Sequence, residues 1–260
     1  MSPVAVVTGG SSGIGYSIAS ALAENGYKVY ELSRSGKDRR GVCHIGADIG
    51  SDSEVAAAVD RVAALEGRVD LLVNNAGYGI SGAAELTKTQ DVADLFNVDF
   101  CGVLRCVRCC VPYMREAGGG RIINISSVAA VMPIPFQSFY SCVKSSVNTL
   151  TCALANELRP FNISVCALMP GDVRTGFTAS RVKSGGEIYG GAIERAVSAM
   201  EKDEENGMPP EYIAGCVVRL AKKKKVGPLY TAGTSYRLFV FLKRLLPVAL
   251  VNRVLGKMYG

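Results

Sequence analysis

Val4-Ala5-Val6-Val7-Thr8-Gly9-Gly10-Ser11-Ser12-Gly13-Ile14-Gly15 decides how the rest of the chain is read. The apolar run Val4 to Val7 is short enough for a buried strand. The glycines follow as G-x-x-x-G-x-G at Gly9, Gly13 and Gly15, and then Ile18, Ala19, Leu22 and Ala23 recur at helical spacing until Asn25-Gly26. A strand, a glycine turn and a helix in that order suit a dinucleotide. Glycines let the backbone approach the pyrophosphate, and the helix N-terminus offers it unpaired N–H groups. Gly9, Ser11, Ser12, Gly13, Ile14 and Gly15 are therefore candidate cofactor contacts.

Working outward, strands and helices alternate. Lys28 to Ser33 and Val42 to Ile45 read as strands, the latter leading to Asp48-Ile49. Ser51 opens a helix carrying Val55, Val59 and Val62. A strand over Val69 to Val73 ends in Asn74-Asn75-Ala76-Gly77, and a long helical region covers Thr89 to Arg115. Arg121 to Ile125 is a strand ending at Ser126-Ser127, a helix spans Phe139 to Arg159, and a strand from Ile163 to Leu168 ends at Pro170-Gly171. This alternation predicts an α/β fold, a doubly wound parallel sheet with helices on both faces. The chain divides into one domain over 1–233, with a polar, Gly-rich lid at 176–207, and a C-terminal helical extension over 234–260.

With 48 % hydrophobic and 20 % charged residues, the chain can bury a core and is not disordered. No apolar stretch is long enough to cross a bilayer, and the N-terminus enters a strand where a secretory signal would stand. Nine cysteines are an odd number for a disulfide framework, and a cytoplasmic setting is expected. Cys106, Cys109 and Cys110 read as small apolar residues of a helix, and no metal is expected. His44 is the sole histidine, which excludes multi-histidine metal sites and most histidine-based catalysis; it reads as structural. The charge is uneven. Tyr212 to Gly260 holds ten Lys/Arg and no Asp or Glu, leaving 19 bases and 23 acids in the remainder. Nucleic acid is not an expected partner.

Two residues set the cofactor choice and the chemistry. The second strand ends in Ser33-Arg34, where an NAD-preferring site places an acid for the ribose 2′-hydroxyl. Arg34 instead suits the 2′-phosphate of NADP(H). Tyr140 and Lys144 stand one helical turn apart and share a face. A phenol must be shifted down by roughly 2–3 units to exchange protons near neutrality. An adjacent ammonium and an oxidised nicotinamide both push that way. Ser127, at a strand end, is placed to hydrogen-bond a substrate oxygen.

The joint set TGGSSGIG, NNAG (Asn74 to Gly77), ISS (Ile125 to Ser127), YSCVK (Tyr140 to Lys144) and PGDVRT (Pro170 to Thr175) resembles the short-chain dehydrogenase/reductase family over about residues 4 to 175. The resemblance implies a Rossmann-type domain, a homodimer or homotetramer, and catalysis without metal. It places Gly9, Ser12, Ile14, Arg34, Asp48, Asn75, Tyr140, Lys144, Val173 and Thr175 on cofactor-contacting positions, with Ile49, Ala76, Gly77, Pro170 and Gly171 beside them. It makes Ser127 the substrate-polarising serine, Tyr140 the proton donor and acceptor, and Lys144 the lysine that binds the nicotinamide ribose. One position departs. Where the family has an asparagine three residues before a glycine, this chain has Asp99 before Gly102, and Asn97 points to a different side. An aspartate there opposes phenolate formation and moves the pH optimum upward.

Val131-Met132-Pro133-Ile134-Pro135-Phe136, with Ile80 and Phe177, suggests an apolar pocket. Within the family, Asn74 to Leu86 and the apolar tail are most similar to hydroxysteroid and retinol dehydrogenases. The expected activity is hydride transfer between NADP(H) and a secondary alcohol or ketone, or a lipophilic alcohol or aldehyde of steroid- or retinoid-like character. Two alternatives stand: a 3-oxoacyl reductase of fatty-acid synthesis, and a catalytically impaired NADP-binding sensor or scaffold. The tail, from Phe239 to Met258, mixes apolar and cationic residues. It suits an anionic membrane surface, a cover over the substrate cleft, or a subunit contact.

Overall fold

The computed structural model describes residues 2–177, 182–184 and 187–259, with 182–184 described by their backbone only. Residues 178–181, 185 and 186 of the expected lid lie outside these residues. Seven strands form one parallel sheet: β1 (Val4–Thr8), β2 (Lys28–Ser33), β3 (Val42–Gly46), β4 (Leu71–Asn74), β6 (Gly120–Ile125), β7 (Ile163–Met169) and β9 (Leu229–Thr231). Their order is β3-β2-β1-β4-β6-β7-β9. β5 (Ile80–Gly82) and β8 (Val182–Ser184) pair separately, also parallel. The strand order reverses between β1 and β4, the point at which open α/β sheets bind ligands.

Register explains the core. Val6 sits between Tyr30 and Leu72, and Val7 between Glu31 and Val73. Successive side chains face opposite sides. Val4, Val6, Leu32, Leu72 and Ile122 bury against α2 (Asp52–Glu66), α4 (Gly102–Glu116) and α5 (Ser138–Glu157). Ala5, Val7, Val29, Leu71 and Ile123 bury against α1 (Gly13–Glu24) and α7 (Pro210–Lys222). A sheet covered on both faces needs near-continuous apolar strands, and these are. Cys106 and Cys110 are buried in the first of these cores.

Three features were not foreseen. The start of the basic C-terminal segment is a core helix: Ile213, Ala214, Val217 and Leu220 of α7 are buried in the second core, while Arg219 and Lys222 to Lys225 are exposed. β9 is only three residues long and completes the sheet edge. The helical region from α3 (Thr89–Phe96) to α4 passes through one π-helical turn at Asn97–Cys101. Beyond α6 (Ala192–Glu205) and β9, the chain ends in α8 (Thr234–Leu245) and α9 (Val248–Tyr259). No helix among the described residues is long and apolar enough to cross a membrane.

Candidate active site

The glycine turn and the turn after β4 are one unit. Gly9 and Gly13 have φ of 66° and 53°, which favours glycine. A Cβ on Gly15 would lie 2.1 Å from the Gly9 carbonyl oxygen and 2.4 Å from Asn75 Nδ2. Asn75 Nδ2 donates to the carbonyls of Thr8 (3.1 Å) and Gly9 (3.3 Å), and the Asn75 and Ala76 N–H groups both donate to Thr8 Oγ1 at 3.0 Å. Replacing Gly15 with alanine is expected to weaken binding of a reduced nicotinamide dinucleotide at least about tenfold, the equivalent of ~1.4 kcal/mol of displaced backbone. Fluorescence titration of the bound nicotinamide checks it.

Of the other expected cofactor contacts, Thr175 meets that turn, while Arg34 and Asp48-Ile49 follow the ends of β2 and β3. Thr175 faces Gly13, with 3.6 Å between its Cβ and a Cβ built there. Asp48 and Ile49 are fixed by the cap of α2: Ser51 Oγ accepts from the Glu54 N–H (3.4 Å), and Glu54 Oε2 accepts from the Asp48 N–H (2.9 Å). Arg34, just past β2, is exposed, and among the described residues it makes no ion pair. The acid nearest to it on β2, Glu31, is fully buried, is paired with His44, and lies under Gly10. Its carboxylate is turned into the fold and away from any ribose. His44 is structural, as the sequence suggested; the burial of Glu31 beneath the glycine turn was not legible.

The reacting groups converge at the carboxyl ends of β4 and β6. Ser127 follows β6, and its Oγ accepts from the Ala129 N–H at 3.1 Å. Tyr140 lies in the first turn of α5, and the Ser127 side chain is close enough to favour its phenolate. One turn on, the buried Lys144 has its Nζ 5.6 Å from the Tyr140 ring centre and donates to the Ile125 carbonyl at 3.4 Å. Asp99 sits in the π-helical turn with 1 % of its surface exposed. Its Oδ2 is 3.0 Å from Lys144 Nζ, and its Oδ1 accepts from the Tyr78 N–H at 3.0 Å. Gly77 makes the room, since a Cβ there would stand 2.5 Å from Asp99 Oδ2. Asn97 points elsewhere, as its spacing implied: its side chain bonds Arg105 (2.7 Å) and the Gly50 carbonyl (3.3 Å).

The electrostatics follow from this geometry. Burial raises the Tyr140 phenol above its ordinary value; Lys144 lowers it, Asp99 raises it, and the net direction is up. For Lys144, burial disfavours the ammonium, but Asp99 and Tyr140 outweigh it and its pKa is raised. Burial pushes the Asp99 carboxyl up, only partly offset by Lys144 and the Tyr78 N–H. The downward shift expected from the ammonium does not prevail: burial outweighs it, and Asp99 takes up part of the ammonium's charge.

Around Tyr140 the surroundings are aromatic. The Phe177 ring is 5.6 Å from the Tyr140 ring, and Phe136 meets Tyr189 edge-on at 5.7 Å. Phe136 adopts φ 59°, uncommon for a bulky residue, and packs with Ile193 and Val197 of α6. Ile80, read as a pocket residue, is 2 % exposed and packs in a small core with Leu95 and Val143. Val131, Met132, Ile134 and Pro135 are half-buried. The tail adds a residue that the motifs did not flag. The Tyr236 ring stacks so closely on Gly171 that a Cβ there would lie 2.3 Å from it, and its hydroxyl donates to Asp172. Tyr259 donates to Asp203 of α6 at 2.9 Å. Part of the extension thus closes over the turn after β7 and over α6.

Known proteins resemble the chain closely. The 3-ketodihydrosphingosine reductase of Bacteroides thetaiotaomicron is 39 % identical over 237 residues, covering 87 % of this chain and 88 % of that protein. A short-chain dehydrogenase structure from Streptomyces avermitilis superposes with a TM-score of 0.84 at 28 % identity, over 94 % of this chain and 93 % of the other. The 3-ketoacyl-(acyl-carrier-protein) reductase of Brucella melitensis, solved with NADH, gives 0.75 at 28 % identity, over 88 % of this chain and 96 % of the other. The family model described as short chain dehydrogenase matches residues 3–185. With that match, and with Ser127, Tyr140 and Lys144 brought together beside the glycine turn, the chain belongs to the short-chain dehydrogenase/reductase family.

Proposed function

We propose that this oxidoreductase uses NADPH to reduce the ketone of a lipophilic, open-chain substrate of the 3-keto long-chain type, with Tyr140 as the proton donor. The observation that carries the chemistry is the convergence of Ser127, Tyr140 and Lys144 at one end of the sheet, next to a backbone turn that excludes side chains. Gly9 to Gly15 would hold the cofactor's pyrophosphate, Asp48 and Ile49 its adenosine end, and Asn75 to Gly77 with Pro170 to Thr175 the rest of its length. When bound, the reduced nicotinamide supplies the hydride. Ser127 holds the substrate oxygen, and the Tyr140 hydroxyl donates the proton to it. Lys144 then stabilises the phenolate that remains. A phenol held protonated by burial suits reduction, where the proton must be present before reaction.

Support for NADPH is the free guanidinium of Arg34 together with the inward-turned Glu31. Support for the substrate class is the relative from Bacteroides thetaiotaomicron, named for a 3-keto sphingoid base, together with the aromatic surroundings of Tyr140. This reading keeps the lipophilic ketone inferred from sequence and replaces the steroid or retinoid ring by a flexible chain. A second reading, 3-oxoacyl reduction, is favoured by the likeness to the Brucella melitensis enzyme. The two separate in one assay. NADPH consumption is followed with 3-ketodihydrosphingosine and with a 3-oxoacyl thioester of equal chain length. A higher kcat/KM for the thioester would transfer the assignment to the second reading.

Asp99 gives the pH dependence its sign. Its charge raises the Tyr140 pKa, so Asp99→Asn lowers it. Ketone reduction requires the protonated phenol and is lost as pH rises through that pKa. In Asp99→Asn the alkaline limb of the reduction profile is therefore expected to move to lower pH, because a charge that raises the phenol's pKa has gone. Alcohol oxidation, which requires the phenolate, extends to lower pH by the same amount. Profiles of kcat/KM in both directions check this, and coincident wild-type and variant limbs would remove Asp99 from the mechanism.

A further inference from the structure

We propose that the cleft between α7, β9 and α8 binds the phosphate headgroup of an anionic phospholipid and seats the protein on a bilayer. The cleft measures about 470 Å³, is open to solvent, and lies on the edge-strand side of the sheet. α7 presents Cys216, Arg219 and Leu220, with Lys223 directly after its last turn, and α8 presents Arg237, Val240, Phe241 and Arg244 at i, i+3, i+4 and i+7. Both walls mix cations with apolar side chains, and Leu168, Leu229 and Thr231 complete the lining.

The four cations lack acidic partners among the described residues. Arg219 donates to Cys216 Sγ (2.9 Å), Lys223 to the Tyr230 hydroxyl (3.3 Å), and Arg237 to the Thr231 carbonyl (3.0 Å). No Asp or Glu occurs anywhere from Tyr212 to Gly260. Cations on an apolar-lined cleft call for an anion that also carries hydrocarbon. The exposed side chains of α8 and the start of α9 carry the same chemistry: Phe241 is 57 % exposed, Leu245 67 % and Val248 76 %, with Lys243 and Arg244 among them in sequence. Apolar side chains that enter the headgroup boundary, flanked by long cations that reach phosphates, are the composition of an interfacial helix.

Charge selects the bilayer over a second copy of the chain. Two such faces brought together would oppose eight cations without an acid between them, and like-charge contacts of that kind cost several kcal/mol. The site stands apart from catalysis and does not depend on the proposed substrate. It is nonetheless close to the cofactor region, because α8 carries Tyr236 against Gly171 and Asp172. A substrate dissolved in the bilayer would thus meet the enzyme on this side.

The test uses the full chain and two kinds of vesicle, phosphatidylcholine alone and phosphatidylcholine with about one-third phosphatidylglycerol. Co-sedimentation is expected with the anionic vesicles only. The double variant Arg219→Glu, Arg244→Glu is expected to bind them at least about 25-fold more weakly, roughly fivefold per cation removed. Phe241→Ser with Leu245→Ser is expected to lose binding as well. Reduction of a water-soluble ketone should remain at the wild-type rate in both variants, which reports that they are folded and separates this proposal from the catalytic one. Three results would overturn it: equal binding to both vesicles, calorimetric binding of inorganic phosphate without any vesicle binding, or a changed sedimentation coefficient in the charge-reversal variant that marks the face as a contact between subunits.

Discussion

Tyr140→Phe is expected to lower kcat for ketone reduction by about 10³-fold while NADPH binding stays within about twofold. The phenylalanine keeps the ring beside Phe177. It removes only the hydroxyl, and with it the transferable proton beside Ser127. A proton from water must then do the work, without the orientation that the first turn of α5 provides. The loss should fall on kcat with KM little changed, since the hydroxyl acts chiefly in the transition state. A steady-state comparison paired with a fluorescence titration of NADPH makes the distinction. A parallel loss of cofactor affinity would point to disrupted packing and away from a lost proton donor.

The second large effect concerns cofactor choice. Arg34→Asp is expected to raise the KM for NADPH by about 100-fold, some 2.7 kcal/mol, with kcat nearly unchanged. The side chain is exposed and makes no ion pair among the described residues, so its removal disturbs little of the fold. In the proposed NADPH complex the substitution would take away charge-assisted bonds to the 2′-phosphate and add repulsion. It also installs the acid that an NAD site uses, so KM for NADH should fall several-fold. Glu31 cannot serve that purpose in the native chain, because it is buried against His44 beneath Gly10. An unchanged NADPH KM in the variant would place the 2′-phosphate elsewhere.

What the sequence made legible follows from which forces act locally. The glycine turn was readable because a backbone approach admits no side chain, and that constraint shows as residue type at Gly9, Gly13 and Gly15. The strands β1, β2, β6 and β7 were readable because a sheet buried on both faces requires continuous apolar runs. Tyr140 and Lys144 were readable as partners because one helical turn joins them. Asp99 was identified by its distance from Gly102, and it does reach Lys144. Its route there, through the π-helical turn and over Gly77, is a tertiary arrangement without a local signal.

The parts that escaped depend on contacts between distant segments. α7 was hidden inside a basic stretch because its charges dominate composition while its buried stripe, Ile213 to Leu220, is short. β9 is three residues long and is a strand only because β7 is beside it. The Tyr236 contact with Gly171 joins residues far apart in the chain, and nothing near either announces it. The upward shift of the Tyr140 phenol is of the same kind. The adjacent ammonium was visible in the sequence, whereas the burial that outweighs it exists only in the fold.

Direct titration of the Tyr140 phenol tests the central idea most closely. The ultraviolet difference between the native protein and Tyr140→Phe reports phenolate as pH is raised, first alone and then with saturating NADP⁺. The expected result is a midpoint above ~10 in the free protein, from burial and Asp99, falling toward neutrality when the oxidised cofactor adds its positive charge beside the ring. A midpoint that NADP⁺ leaves unmoved would show that the cofactor does not bind beside this phenol, and Tyr140 could not then be the group that exchanges the proton.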